Sequence, residues 1–312
     1  MLLFRKLAVL AKIEVTYGTD PTPTGAANAI LVRNAQINPL SVEAQARDLQ
    51  RPFLGNSEDI VGAFYGSLSF EVEAAGAGAA GTVPKYGVLL RGCGMAEVID
   101  AGVDVTYTPV SSAFESLTMY FNLDGVLHKF TGARGNVSFR GNNREATLWT
   151  FNFTGLFKPV VDATLPTVDY SGFITPLALN TANTPTFSLH GVTGAAAVLR
   201  NISLDLANQV NYRNLVNSEM VQILDRKPVG TIEMEATNMA TKNWWNAVRD
   251  STTGVLQLIH GTAAGNIIEI NAPAAQITAP TYSDFEGAAM MSGGLKLQPT
   301  SAGNDEIEIV VR

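Results

Sequence analysis

Residues 66–74, GSLSFEVEA, carry the reading of the fold. Leu68, Phe70 and Val72 alternate with Ser67, Ser69, Glu71 and Glu73, a period of two that gives an extended strand one apolar and one polar face. An antiparallel sheet packed on one side and wet on the other has this pattern. Working outward, Trp149, Phe151 and Phe153 alternate with Thr150, Asn152 and Thr154, which puts three large rings on one face of a second strand. In LTMYFNLDGVLHKFTG, residues 117–132, Asp124-Gly125 supplies the positive φ angles of a tight turn, so a hairpin is expected. Short helices are expected near 84–93 and 239–249, where aromatic and aliphatic residues recur four apart. The fold class is all-β, with one short flanking α-helix in each half of the chain.

The two halves carry similar strings in the same order. ILVRNAQINPL (30–40) matches AVLRNISLDLA (197–207), with Arg33-Asn34 on Arg200-Asn201 at an offset of 167. RDL (47–49) matches RNL (213–215), and GSLSFEVEA (66–74) matches GTIEMEAT (230–237) at an offset of 164. KYGVLLRG (85–92) lies on NWWNAVRD (243–250), and GLFKP (155–159) lies on LKLQP (295–299) at an offset of 140. The falling offset places the differences in loops, where length is tolerated. An internal duplication follows: a first β domain over 1–165 with an N-terminal arm, and a second over 166–312. Residues 160–187, rich in Pro, Thr and Asn, read as the connection. Residues 19–28, TDPTPTGAAN, set off the arm, which is free on this reading to dock on a neighbour.

Composition narrows the function. Of 312 residues, 46% are apolar and 16% charged, against roughly 25% charged in an ordinary soluble protein. Neighbouring subunits covering part of the surface would account for that deficit. With 21 basic and 28 acidic residues the formal net charge is −7, which disfavours a nucleic-acid grip. A single cysteine, Cys93, excludes a disulfide framework and a multi-cysteine metal site, and fits assembly in a reducing cytoplasm. Between Lys6 and Lys12 the apolar run LAVLA is too short for a signal peptide, and no run approaches the ~18 apolar residues of a membrane helix. A soluble chain is expected.

No catalytic, cofactor-binding or metal residues are expected. GAGAAG (76–81) has G-x-G-x-x-G spacing, but the strand before it alternates with Ser and Glu where a dinucleotide fold needs a strand buried on both faces. Pro84 would interrupt a helix begun there, so the segment reads as a flexible loop. His128, His190 and His260 have no ligand-type partner at i+2 or i+4, and Cys93 has no activating neighbour in sequence. Neither G-x-S-x-G nor H-E-x-x-H occurs.

Residues 41–66, SVEAQARDLQRPFLGNSEDIVGAFYG, form a long excursion between two strands. Its charges, Arg47, Asp48, Arg51, Glu58 and Asp59, surround Phe53 and Leu54. Unstructured loops beyond about 15 residues are usually functional or disordered, and the apolar centre argues against disorder, so a contact with a partner is expected. An ordinary solvated hairpin is the bland alternative. In the second half the counterpart spans about 208–227, with Arg213, Asp225 and Arg226.

LAKIEVTYGTDPTPTGAANAILV, RDLQRPFLG, YTPVSSAFESLTMYFNLDGVLHKFTGARGNVSF and HGTAAGNIIEI together resemble the major tail tube proteins of bacteriophages with long, non-contractile tails, over essentially the whole chain. The resemblance implies tail-tube β-sandwich domains whose inner sheets join across subunits into a closed barrel, in rings that stack into a tube. It implies self-contacts, a tape-measure protein in the lumen, tail terminator and distal tail proteins as partners, and double-stranded DNA in transient passage without specific binding. It places the protein in the virion tail, assembled in the host cytoplasm, with no membrane partner and no cofactor. Combined with the duplication, it implies rings of three chains with pseudo-six-fold symmetry. The long excursion would bridge successive rings, and a net-acidic lumen would let phosphates slide. The competing readings are a cell-surface or receptor-binding β-sandwich of a virion and, in a third class, an esterase or nuclease on a β scaffold.

Overall fold

The computed structural model describes residues 2–312. The first half contains β1 (Leu7–Ile13), α1 (Gly25–Asn28), β2 (Ala29–Ile30), β3 (Arg33–Gln45), β4 (Ile60–Glu73), α2 (Gly87–Gly92), β5 (Met95–Asp100), β6 (Asp104–Pro109), β7 (Leu117–Leu123), β8 (Val126–Asn142) and β9 (Leu148–Asp162). The second half contains β10 (Thr186–Leu189), β11 (Val192–Thr193), β12 (Leu199–Asp205), β13 (Asn208–Leu215), β14 (Ser218–Arg226), β15 (Val229–Glu235), α3 (Trp244–Arg249), β16 (Thr253–His260), β17 (Ile268–Phe285), β18 (Ala288–Gln298) and β19 (Glu308–Val311). Every ladder between these strands is antiparallel. The all-β fold class read from the alternation is the one observed.

The alternating stretch is the inner part of β4, where Leu68, Phe70 and Val72 are buried and the intervening residues are half-exposed. β9 lies beside it, with Phe70 opposite Phe151 and Val72 opposite Trp149. The hairpin at Asp124-Gly125 forms as the turn chemistry requires, with φ of 36° and 110° at the two residues. Two strands are long and shared between layers. β8 pairs with β7 through residues 117–133 and, past that point, keeps β9 on one side while taking β12 on the other. β17 likewise pairs with β16 up to Gln276 and continues along β18 to Phe285. Strand order in one layer is therefore β3-β4-β9-β8-β12-β15-β18-β17, running through both halves.

A second tie between the halves is β19 on β6, with Ile309 opposite Tyr107. A third is the glycine loop. Gly78 N donates to Gly265 O at 2.9 Å, Gly76 N donates to Asn266 Oδ1 at 3.0 Å, and a Cβ on Gly76 would stand 2.0 Å from the Gly265 carbonyl oxygen. The glycines let two backbones touch, so a cofactor is not needed to explain them. The main apolar core includes Val9, Phe121, Phe70, Trp149, Ile232 and Leu258 from both halves, and a smaller cluster gathers Leu10, Ala29, Tyr120 and Leu127.

Several expectations are corrected. The helices span Gly87–Gly92 and Trp244–Arg249, shorter than 84–93 and 239–249. Gly94, at φ 79°, closes the first, and the Asn243 side chain, accepting from Asn246 N, starts the second. A further short helix, Gly25–Asn28, lies in the stretch read as a separator. The N-terminal arm is not free, because residues 7–13 form β1, paired with β7 over its whole length. The connecting segment begins later than 160, since β9 continues to Asp162; from there to 185 only two isolated bridges occur, at Leu179 and Ala178. Among the described residues no helix is long and apolar enough to cross a membrane.

Candidate assembly surfaces

The excursion at 41–66 is mostly strand. β3 extends to Gln45 and β4 begins at Ile60, so the structureless loop is 46–59, carried on a projecting two-stranded arm. The extension follows from the β-branched and aromatic residues Val42, Ile60, Val61 and Phe64 on either side of the loop. At the loop, Leu54 is 103% exposed and Phe53 65% exposed, and Asp48, Arg51 and Asp59 are exposed around them. Arg47 pairs with Glu58 across the loop base, an exposed ion pair that is worth at most about 1 kcal/mol but closes the neck. Asp48, Arg51, Phe53, Leu54 and Asp59 are thus exposed on one loop, with the Arg47–Glu58 pair at its base.

The counterpart at 208–227 is different, and the expectation of a matching loop is corrected. It is a β-hairpin, β13–β14, folded back onto the first half. Arg134 Nη1 donates to Val221 O at 2.8 Å, and Val221 N donates to Tyr17 Oη at 2.6 Å. Asn208 Nδ2 donates to the carbonyls of Cys93 at 2.6 Å and Gly135 at 3.0 Å, while the Tyr212 and Tyr65 rings lie 4.8 Å apart. Arg226 is not a surface contact either: it is paired with Glu306, the two side chains only 10% and 5% exposed, and its Nη1 donates to Val110 O at 2.8 Å. Arg213 is exposed on β13, and Asp225 lies at the surface beside Lys227, whose ammonium donates to its carboxyl and lowers its pKa.

The layer that runs through both halves has one buried and one polar face. Ser67, Ser69, Asn152, Ser138, Ser203 and Thr231 lie on the polar face, none of them buried. Its charges are paired at one end: Arg33 with Glu73 at 3.3 Å, Arg140 with Glu71 at 3.6 Å and Arg200 with Glu233 at 2.6 Å. Sequence reading missed this face as a unit, because it is assembled by the ladder between β8 and β12. Both ends of the layer are open. Among the described residues β3 pairs only with β4, and β17 beyond Gln276 pairs only with β18.

The three histidines sit apart. His190 Nε2 lies 2.7 Å from Ala275 O, His260 Nε2 lies 3.2 Å from Leu177 O, and His128 packs near Phe121. Burial lowers the pKa of all three, so each favours its neutral form in the folded chain. As pH falls below 6.5, the unfolded chain takes up protons that the folded chain refuses, and stability is lost. The melting temperature should therefore drop between about pH 7.5 and about pH 5.5, and a His190→Gln, His260→Gln double variant should flatten that drop. An unchanged slope in the variant would assign the effect elsewhere. Cys93 is fully buried, and burial pushes its thiol pKa up, so it is unreactive. Among the described residues no cluster of three or more metal-ligating side chains occurs.

The chain is thus an all-β scaffold with a sheet that runs through both halves, unpaired margins at β3 and the end of β17, and a projecting arm with exposed apolar residues, the class of surface that contacts between subunits use. The family model described as Phage tail tube protein matches residues 5–293, and the chain belongs to that family. No match to a curated protein is found. The family is structural and not enzymatic, and its members are components of the virion tail that assemble into a tube.

Proposed function

We propose that the chain is the major tube subunit of a long, non-contractile phage tail, that three chains close each ring, and that stacked rings form the conduit for DNA ejection. The supporting observation is the layer β3-β4-β9-β8-β12-β15-β18-β17, which passes from one half to the other without a break and ends in an open edge on each side. Each half is then one repeat of a duplicated β domain, 1–165 and 166–312, and three chains supply six repeats around the axis. Ring closure removes the exposed edges, which otherwise template aggregation.

The polar face of this layer lines the lumen. Its short Ser, Thr and Asn side chains and its Arg–Glu pairs leave few cations, such as the exposed Lys296 on β18, free for phosphates, so DNA passes without being held tightly. A tape-measure protein occupies the lumen during assembly in the host cytoplasm, and terminator and distal tail proteins cap the ends. The arm's loop, with Arg47, Asp48, Arg51, Phe53, Leu54, Glu58 and Asp59, contacts the next ring. Arg213 and Asp225 remain available at the hairpin of the second half, and Arg226 does not.

Electron microscopy of the concentrated protein tests the reading: rings with three-fold symmetry that stack into tubes are expected, and a discrete non-polymerising oligomer would instead favour a receptor-binding protein. Phe53→Ser with Leu54→Asp should change the folding free energy by no more than about 0.5 kcal/mol, the scatter of surface changes, while tubes shorten or fall apart into rings. Full-length tubes from this variant would remove the loop from the ring-to-ring contact.

A further inference from the structure

The seam inside one chain is a template for the seam between chains. Within the chain, β8 and β12 pair with Asn142 opposite Asn201, Arg140 opposite Ser203, Phe139 opposite Leu204 and Ser138 opposite Asp205. Each of these strands has a structural counterpart at a free edge. On β12, Asn201 stands opposite Glu233 beside a bulge and donates from Nδ2 to its Oε2 at 2.8 Å; on β3, Asn34 lies in a bulge and donates from Nδ2 to Glu71 Oε2 at 2.7 Å. Past each bulge the ladders agree, Ser203 with Thr231 and Gln36 with Ser69, then Asp205 with Val229 and Asn38 with Ser67. SFEVEA (69–74) thus lies on TIEMEA (231–236), two positions from the match that strings alone suggest. Ala74 N and Ala236 N make equivalent bonds, to Thr147 O and Ala289 O, both 2.9 Å. These bonds set Trp149 on Met291, and hence Phe139 on Tyr282 and Ser138 on Thr281.

We propose that residues 34–38 of one chain pair antiparallel with residues 281–285 of a second copy, Asn34 opposite Phe285, Gln36 opposite Ser283 and Asn38 opposite Thr281. This rests on the tube reading and names the strands that close the ring. Transposing the register brings Ile37 against Tyr282 on the apolar face, where their counterparts Leu204 and Phe139 are buried; Tyr282, 62% exposed in the single chain, becomes an anchor of the contact. Gln36 and Ser283 meet on the polar face. The two seams differ in one respect. Inside the chain a second ladder, β6 on β19, reinforces the joint, but β6 belongs to a hairpin inserted between α2 and β7, and α3 runs into β16 with only residues 250–252 between. The chain-to-chain seam therefore has one ladder, and rings open there first.

Mixing chains carrying Gln36→Cys with chains carrying Ser283→Cys, assembling them and oxidising tests the register. A covalent dimer is expected on non-reducing gels, and the doubly substituted chain should give a ladder ending at a closed trimer. Gln36→Cys mixed with Tyr282→Cys, whose side chains point to opposite faces, should remain uncoupled. Buried Cys93 does not compete. Rings seen by microscopy that fail to cross-link, or that cross-link equally with the slipped pair, overturn the seam and leave the tube reading intact; absence of rings from the unsubstituted chain overturns both. Hydrogen exchange on the unsubstituted protein gives an independent reading, with amides at 34–38 and 281–285 slowed on assembly, and unchanged exchange at both segments rejects the pairing.

Discussion

Arg226→Ala is expected to destabilise the folded chain by about 3–5 kcal/mol, the range for removing one partner of a buried ion pair. The guanidinium holds three things at once: the Glu306 carboxylate, the Val110 carbonyl at 2.8 Å and Asn304 Oδ1 at 3.3 Å. It ties the end of β14 to the segment between β18 and β19 and to the first half. Glu306 Oε2 already lacks a protein hydrogen-bond partner, so without the arginine neither oxygen of this side chain, 5% exposed, is compensated by the protein. For a chain of this length the melting temperature should fall by about 5–8 °C. The double variant Arg226→Met, Glu306→Leu should recover most of the loss, since it removes both charges together. A loss in the single variant no larger than that of a surface change would show that the pair holds nothing in place.

Trp149→Ala is expected to cost about 3–5 kcal/mol, the range for deleting a buried aromatic side chain. Trp149 is 1% exposed, and its ring centroid lies 5.0 Å from that of Phe139 and 6.1 Å from that of Tyr86. The site cannot collapse easily, because β4 and β8 flank β9 and fix the backbone on both sides. Phe139 in turn faces Leu204 in the joint between the halves, so the cavity should loosen that joint as well as the core. Protease cleavage within residues 163–185 should accelerate in Trp149→Ala and stay near the original rate in Trp149→Phe. Equal cleavage rates in both variants would separate the core from the joint.

Much of the local structure was legible. The period of two in β4 and β9, the Asp124-Gly125 turn and the buried rings of Trp149, Phe151 and Phe153 depend on residues close in sequence, and all appear as read. The family likeness was legible too, because the quoted strings all lie within the region that the family model matches. The helices were overextended because their four-residue spacing continues past the glycines and the Asn cap that end or start them. Arg226 was misplaced for a different reason: an arginine in a polar hairpin looks like a surface group until Glu306, eighty positions away, is brought beside it.

By itself the sequence determined which faces are apolar, where the chain turns, that charge is scarce on the surface, and the family to which the chain belongs. Only the tertiary structure decided that β1 closes into its own sheet, that the glycine loop is a backbone contact between halves, and that β12 completes the edge of β8. The physical reason is range. Side-chain alternation and turn angles are fixed within a few residues, whereas a strand edge offers the same unpaired N–H and C=O groups to any partner, and which partner takes them is settled by packing across the whole molecule.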